Sequence, residues 1–326
     1  MLSLSSKNVF ELLSMSDAIR VVEKTMVLVS EDKCILPLRN VIDVGSSNKL
    51  GIMPGVLSLG GLYGVKVLSL FPENPSKGLS SHIGVVILFN PETGAPVAAI
   101  NADALTAIRT AAATAVATRS LSRVESSKVT IIGTGEQAEA HIEAISLVRD
   151  ITKINVVGRE ITRAKDFLNK VESHFPNQNF SAFQNVKDGI KGSDIVCTVT
   201  SSKEVILSGE WVTDGTHVNA VGASIPAFQE IDESMVLKSK LFVDYRPSAL
   251  AQAKEIIDGV NSKAFDRSHI LGEIGEVLSD KVKGRLSPSD ITLYRSMGIA
   301  AQDLACADFV FQKAKKEGYG IFSDIS

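Results

Sequence analysis

Chemistry in this chain gathers around a few glycines and a few isolated cations. Ile131-Ile132-Gly133-Thr134-Gly135-Glu136-Gln137-Ala138 is a G-x-G-x-x-A turn between an apolar run and a helix-forming one. In a dinucleotide site Gly133 permits the tight turn and Gly135 lets the backbone approach a pyrophosphate. Ala138 lets helix and strand pack closely, and the helix N-terminus at Glu136 and Gln137 attracts the anion. With 24 glycines in 326 residues, a bare G-x-G arises by chance about twice. The strand before it and the helix after it carry the inference; a tight turn with no ligand is the plainer alternative.

The following strand decides the nucleotide. NAD sites usually end it with an acid that binds the ribose hydroxyls. Here it ends Val156-Val157-Gly158-Arg159-Glu160, with Gly158 in the acid's place and Arg163 one helical turn on. Two guanidinium groups suit a 2′-phosphate, which points to NADPH. NADH is the alternative, with Glu160 as the acid and Arg159 and Arg163 as ordinary surface residues. Two further strand ends, around Thr198 and Thr200 and around Val221 and Ala223, carry small residues where a nicotinamide ribose would pass close to backbone. Tight turns with nothing bound are the alternative there.

Lys66 stands in an apolar strand, Tyr63 to Leu70, as an edge-strand guard or a site residue. Arg109 lies among small residues in Leu105 to Thr114, where a ligand or another segment can approach, or where a structural ion pair can form. Arg39 follows Pro37-Leu38 in a loop and by itself reads as a surface arginine. Ser81-His82 precedes a strand; His82 is a candidate general acid or a structural histidine.

These residues need elements to hold them. The first 120 residues give a helix at Ser16–Val29 capped by Ser16, then strands at 51–54, 63–70 and 84–89. A turn at Asn90–Gly94 leads to a strand at 96–100, and an Ala/Thr-rich helix follows at 103–121. From Ser127 strands alternate with helices. Strands are expected at 128–132, 154–157, 195–200, 217–221 and 240–244, with a weaker one at 180–183. Helices are expected at 136–148, 163–174, 186–191 and 230–239. Short, nearly continuous apolar strands between helices mean a parallel sheet covered on both faces. After Ser248 the chain reads as largely helical.

Composition sets the outer limits. Hydrophobic residues make up 44 % and charged residues 22 %, enough for large cores and too apolar for disorder. Thirty-four basic against thirty-seven acidic residues, a net charge of −3, give no basic excess for nucleic acid or a membrane surface. The longest apolar runs are strand-sized, and residues 1–15 do not form a targeting signal. Cys34, Cys197 and Cys306 are widely spaced, as reduced thiols of a cytoplasmic protein would be. The five histidines show no metal-ligand spacing, so no metal is expected.

Taken in order, the segments resemble the ornithine cyclodeaminase/mu-crystallin family. The resemblance rests on Gly51-Ile-Met-Pro54, Gly64-Val-Lys66, Ser81-His82 and Thr106-Ala-Ile-Arg-Thr-Ala-Ala112. It continues through Gly133-Thr-Gly-Glu-Gln-Ala138, Gly209-Glu-Trp211, Asn219-Ala-Val-Gly-Ala-Ser224, Gly272-Glu-Ile-Gly-Glu276 and Ser296-Met-Gly-Ile-Ala300. It implies an α/β protein in which a Rossmann dinucleotide-binding domain, 121–300, is inserted in a discontinuous α+β substrate-binding and dimerisation domain, 1–120 plus 301–326. It implies homodimers or larger assemblies with the sheets of two subunits joined. Arg39, Lys66 and Arg109 match the family's substrate-carboxylate contacts, and Lys66 its proton-handling lysine. Ser81, with His82, Arg109 and Met297, is placed toward the cofactor, and Ser81 is a second candidate for the proton step. Ornithine cyclodeaminases carry an aspartate where this sequence has Ser224. That departure speaks against cyclising ornithine, because a second ammonium group would lack a partner.

The reading is therefore NAD(P)H-dependent reduction of a small cyclic imine carboxylate, Δ1-pyrroline-2-carboxylate to L-proline, with the six-membered ring open. Ornithine cyclodeaminase and alanine- or opine-type dehydrogenase are the alternatives within the fold. A non-catalytic small-ligand-binding protein is the alternative outside enzymology.

Overall fold

The computed structural model describes residues 1–324, which form two units. One is Met1–Arg109 together with the chain from Ile299; the other is Thr110–Gly298. These divisions fall at 109/110 and 298/299, against 120/121 and 300/301 expected from sequence. The first falls inside a single helix, whose two ends belong to different units.

The discontinuous unit contains β1 (Leu2–Leu4), α1 (Ser6–Leu12), α2 (Met15–Ser30), β2 (Asn40–Gly45), β3 (Asn48–Val56), β4 (Tyr63–Leu70), β5 (His82–Phe89) and β6 (Pro96–Asn101). The helix α3 (Ala102–Leu121) leaves it. The chain returns as α11 (Ala300–Glu317) and β15 (Ile321–Phe322), numbered for the eight strands and seven helices between. Its sheet order is β15-β1-β6-β5-β4-β3-β2, with β1 and β6 parallel and the other pairs antiparallel. The cap of α2 is Ser14, whose hydroxyl accepts from the Asp17 amide at 3.1 Å; the expected Ser16 lies inside the helix.

One face of this sheet is covered. Met53, Val86, Leu88, Ala98 and Ile100 are buried on it, and α11 packs across β3, β4 and β5. Gly64 makes the close approach workable: a Cβ there would lie 2.3 Å from the Ile87 carbonyl oxygen and 2.8 Å from Leu304 of α11. On the other face Val65, Val67, Val85 and Ile87 stay partly exposed and Ile83 is exposed.

The second unit runs through β7 (Lys128–Ile132), α4 (Glu136–Ser146), β8 (Lys153–Val157), α5 (Ile161–Val171), β9 (Asn179–Phe183), α6 (Val186–Gly189), β10 (Ile195–Thr198) and β11 (His217–Ala220). It ends with α7 (Glu233–Lys238), β12 (Lys240–Val243), α8 (Arg246–Gln252), α9 (Lys254–Ser262), β13 (Ile270–Glu273), α10 (Ile274–Leu278) and β14 (Thr292–Arg295). All eight strands are parallel, in the order β13-β12-β14-β11-β10-β7-β8-β9. The strand order reverses between β7 and β10, the switch point of a doubly wound sheet. Side chains alternate between two cores. Ile195 and Cys197 join Ala138, Ile142 and Phe167 on the α4–α5 side, while Val196 and Val218 join Met235, Val236 and Ile256 on the other.

The expectation of a largely helical chain after Ser248 is corrected. β13 and β14 lie there, and β14 is inserted between β11 and β12. Thr292-Leu-Tyr-Arg295 is a short strand, and its four residues are all buried. Such a run cannot be told from a buried helical piece by periodicity alone.

Candidate active site

The discontinuous unit holds a buried cluster of opposite charges. Lys66 projects from β4 on its covered face and is 2 % exposed, Arg109 on α3 is 5 % exposed, and Asp303 on the first turn of α11 is fully buried. Lys66 Nζ donates to Asp303 Oδ1 at 2.9 Å, and Arg109 Nε donates to the same oxygen at 3.0 Å. Lys66 Nζ also donates to Thr106 Oγ1. That hydroxyl gives its proton to the Ala102 carbonyl at 2.6 Å, so it can only accept from the lysine. Arg109 Nη1 donates to Gln302 Oε1 at 3.0 Å. Two cations thus share one carboxylate oxygen, and Asp303 Oδ2 has no hydrogen-bond partner.

Burial pushes the Lys66 ammonium down to about 8, with the Arg109 and Arg39 charges adding to the fall and Asp303 opposing it. Burial would raise the Asp303 carboxyl, but the Arg109 and Lys66 charges outweigh it and the net shift is downward. Positive charge exceeds the single negative charge here. An ammonium has three donors and a guanidinium five, so both cations keep donors for an anion. Of the alternatives for Lys66 and Arg109, the edge-strand guard is excluded, since β4 lies between β3 and β5. For Arg109 the ion pair is present, with Asp303.

Arg39 is half-buried just before β2 and its charge is felt at Lys66. Ser81 and His82 stand apart from this cluster. Ser81 Oγ meets His82 Nδ1 at 2.9 Å, and His82 lies four residues along β5 from Val86, the partner of Lys66. That is about 13 Å of strand.

In the parallel-sheet unit the remaining expected residues lie at the carboxyl edge, at or beyond the ends of β7, β8, β10, β11 and β14, with Arg163 in the first turn of α5. Gly133 has a φ of +127°, and a Cβ on it would fall 2.8 Å from the Val199 carbonyl oxygen. Gly135 is the N-cap of α4 with no side-chain cap, and a Cβ on it would meet nothing within 4 Å. Gln137 Oε1 is buried without a partner. An open helix N-terminus behind a sterically required glycine fits a pyrophosphate. At Gly158 a Cβ would come within 2.9 Å of the Glu160 carbonyl oxygen, so the usual acid cannot be placed there. Arg159 and Arg163 are exposed. The Thr198 and Thr200 hydroxyls both reach Glu230, the Ala223 amide donates to Glu230 at 3.1 Å, Val221 is buried, and the Met297 amide donates to Asp244 Oδ2 at 2.7 Å. Ser224 is half-buried and carries no charge.

Sequence reasoning missed Asp303, Thr106, Gln302 and Glu230. Asp303 is the one charge in Ala300–Ala307, but an acid in a helix's first turn reads equally as a dipole partner. Glu230 was expected to open a helix; that helix starts at Glu233.

Among the described residues no cluster of His, Cys, Asp or Glu is arranged to hold a metal, and no helix is long and apolar enough to cross a membrane.

A doubly wound sheet with a glycine-gated helix N-terminus defines a dinucleotide-binding α/β protein, and the same chain carries a buried lysine–arginine–aspartate cluster. Residues 1–318 match the ornithine cyclodeaminase/mu-crystallin family, and the chain belongs to it. A Δ1-pyrroline-2-carboxylate reductase of Bacillus cereus is 31 % identical over 322 residues, 98 % of each chain. The Δ1-pyrroline-2-carboxylate reductase of Thermococcus litoralis, solved with NADH and L-proline, has a TM-score of 0.95 at 34 % identity, covering 99 % of this chain and 100 % of that one. An archaeal alanine dehydrogenase, solved as a dimer with NAD, has a TM-score of 0.93 at 32 % identity, covering 100 % and 99 %.

Proposed function

We propose that this protein is an NAD(P)H-dependent imine reductase that converts Δ1-pyrroline-2-carboxylate to L-proline. The observation that carries this reading is the surplus of positive charge around Asp303, built by Lys66 and Arg109. A planar carboxylate suits a guanidinium fork, and Arg39 adds a third cation. The cofactor supplies a hydride when bound. The imine nitrogen must gain a proton as its carbon gains that hydride, so the C=N bond becomes CH–NH. Lys66, with its ammonium near 8, is about nine-tenths protonated at pH 7 and yields its proton far more readily than an ordinary lysine. Thr106 and Asp303 fix the position of Nζ, and Gln302 fixes Arg109. Gly133, Gly135, Glu136 and Gln137 are assigned to the pyrophosphate. Thr198, Thr200, Val221, Ala223 and Met297 are assigned to the nicotinamide end. The exposed guanidinium groups of Arg159 and Arg163 favour NADPH over NADH.

Uncharged Ser224 disfavours a substrate with a second ammonium group. The uncovered apolar sheet face, Val65, Val67, Val85 and Ile87, suits a second copy of the chain, and a homodimer is part of the proposal. A cytoplasmic location agrees with three separate thiols.

NAD(P)H oxidation measured with Δ1-pyrroline-2-carboxylate, Δ1-piperideine-2-carboxylate and pyruvate plus ammonia tests the reading, alongside ammonia release from L-ornithine. The five-membered imine should have the highest kcat/KM and ornithine should release no ammonia. Preference for pyruvate plus ammonia would make the chain an alanine dehydrogenase. Binding without turnover on every substrate would make it a ligand carrier.

A further inference from the structure

We infer that Glu230 is the positioning residue of the nicotinamide end of the cofactor site, an internal carboxylate that locks two strand-end turns into one surface. The inference rests on the cofactor reading above. Glu230 lies in the connection between β11 and α7 and is 1 % exposed. Its Oε1 accepts from the Thr200 amide and the Thr200 hydroxyl, both at 2.7 Å. Its Oε2 accepts from the Thr198 hydroxyl at 2.9 Å, the Gly222 amide at 2.7 Å and the Ala223 amide at 3.1 Å. Three of these donors are backbone N–H groups and cannot turn round to accept, so both oxygens must present lone pairs. The turns it joins follow β10 and β11 and touch backbone to backbone: a Cβ on Gly222 would fall 2.0 Å from the Thr200 carbonyl oxygen. Arg295 of β14 holds the β11 turn from its other side, donating to the carbonyls of Ala220 and Ala223.

The topology gives this clamp its meaning. A doubly wound sheet binds a dinucleotide across its switch point, one mononucleotide on each half. The Gly133 turn and Arg159 belong to the β7–β8 half, which leaves the β10–β11 ends for the other nucleotide. Clustered backbone amides at such a place form an anion nest. Glu230 fills this one from inside the protein, which reserves the open N-terminus of α4 for the pyrophosphate and gives the second ribose a rigid, uncharged backbone surface.

Glu230→Gln tests it, because the variant keeps the shape but must turn an NH2 toward a fixed N–H. Wild type and variant are titrated by calorimetry, without turnover, against NADPH and NADH and against the adenine-half fragments ADP and adenosine 2′,5′-bisphosphate. The variant should bind the dinucleotides at least tenfold more weakly and the fragments within twofold of wild type. Thr200→Val should show the same split at a few-fold and Thr200→Ser should restore wild-type affinity; these two carry the test if Glu230→Gln does not fold. Equal weakening for fragments and dinucleotides would make Glu230 a merely structural residue and overturn the inference, as would unchanged dinucleotide affinity. A wild type that binds no nucleotide would overturn the cofactor reading itself.

Discussion

Replacing Asp303 by Asn removes the one negative charge that Lys66 and Arg109 share, and the consequence can be worked out in sign and size. If Lys66 gives up the proton, turnover needs its ammonium form and falls as pH rises through its pKa, about 8 in the wild type. Asp303 is what holds that value up against burial and against Arg109 and Arg39. A hydrogen bond to a charged group is worth about 1.5–3 kcal/mol, and each pH unit corresponds to about 1.36 kcal/mol. The alkaline limb of kcat/KM, which reports the free enzyme, should therefore move from about pH 8 to about pH 6–7. Measuring kcat/KM for the imine at saturating cofactor from pH 5.5 to 9.5, by loss of reduced-cofactor absorbance, reads this directly. The substrate's own titration is common to both proteins and drops out of the comparison. Folding is checked by thermal melts, and the variant should be least destabilised at high pH, where Lys66 is neutral and needs no counter-ion. An Asp303→Asn enzyme with its alkaline limb at the wild-type position, or higher, would refute Lys66 as the titrating group.

Lys66→Arg should keep much of the carboxylate binding but lower kcat by about 10²–10⁴, the usual share of a general acid, whereas Arg109→Ala should chiefly raise KM for the imine; steady-state kinetics on the pair tests this division. Arg159→Ala should raise KM for NADPH about ten- to a hundredfold, the worth of a charge-assisted contact of about 1.5–3 kcal/mol, and leave NADH nearly untouched; equal losses would show that Arg159 does not read the phosphate. Burial lowers His141 to about 4 and His217 to about 3, so between those values and 6.5 the unfolded chain binds more protons and stability falls as pH falls. At pH 5 the loss is about 2 kcal/mol for each, and urea melts at pH 7 and pH 5 should show a shallower drop for His217→Asn than for wild type.

What could be read in the sequence was what is local. The Gly133 turn, the alternation of strands and helices from Ser127, and Gly158-Arg159 are each contained in a short window, and each window constrains its own backbone. Lys66 and Arg109 stood out because a charge in an apolar or small-residue run needs a reason, an edge, an ion pair or a site. Their partner could not be read. Asp303 lies 237 residues from Lys66 and 194 from Arg109, and nothing in Ala300–Ala307 says which sheet that helix will cross. β14 was missed for a related reason: its four buried residues gain their strand identity from β11 and β12 on either side, not from any pattern of their own.

The placement of Asp303 also ties chemistry to chain order. Lys66 and Arg109 come from the first stretch of the discontinuous unit and Asp303 from the stretch that returns at Ile299. Before that return, burying Lys66 of β4 and Arg109 of α3 would leave two cations without a counter-ion, which is strongly unfavourable. Gly64 is what allows the return to fit, since a Cβ on it would lie 2.8 Å from Leu304; one on Gly55 would press at 3.2 Å on Ala300, and the two neighbours lie on either side of Asp303 along the helix. The glycines of β3 and β4 thus do for the helix that carries Asp303 what Gly133 does for the turn after β7. At Gly64 the missing side chain makes room for the Ile87 carbonyl and Leu304, and at Gly133 for the Val199 carbonyl, so each glycine is read from what it lets approach.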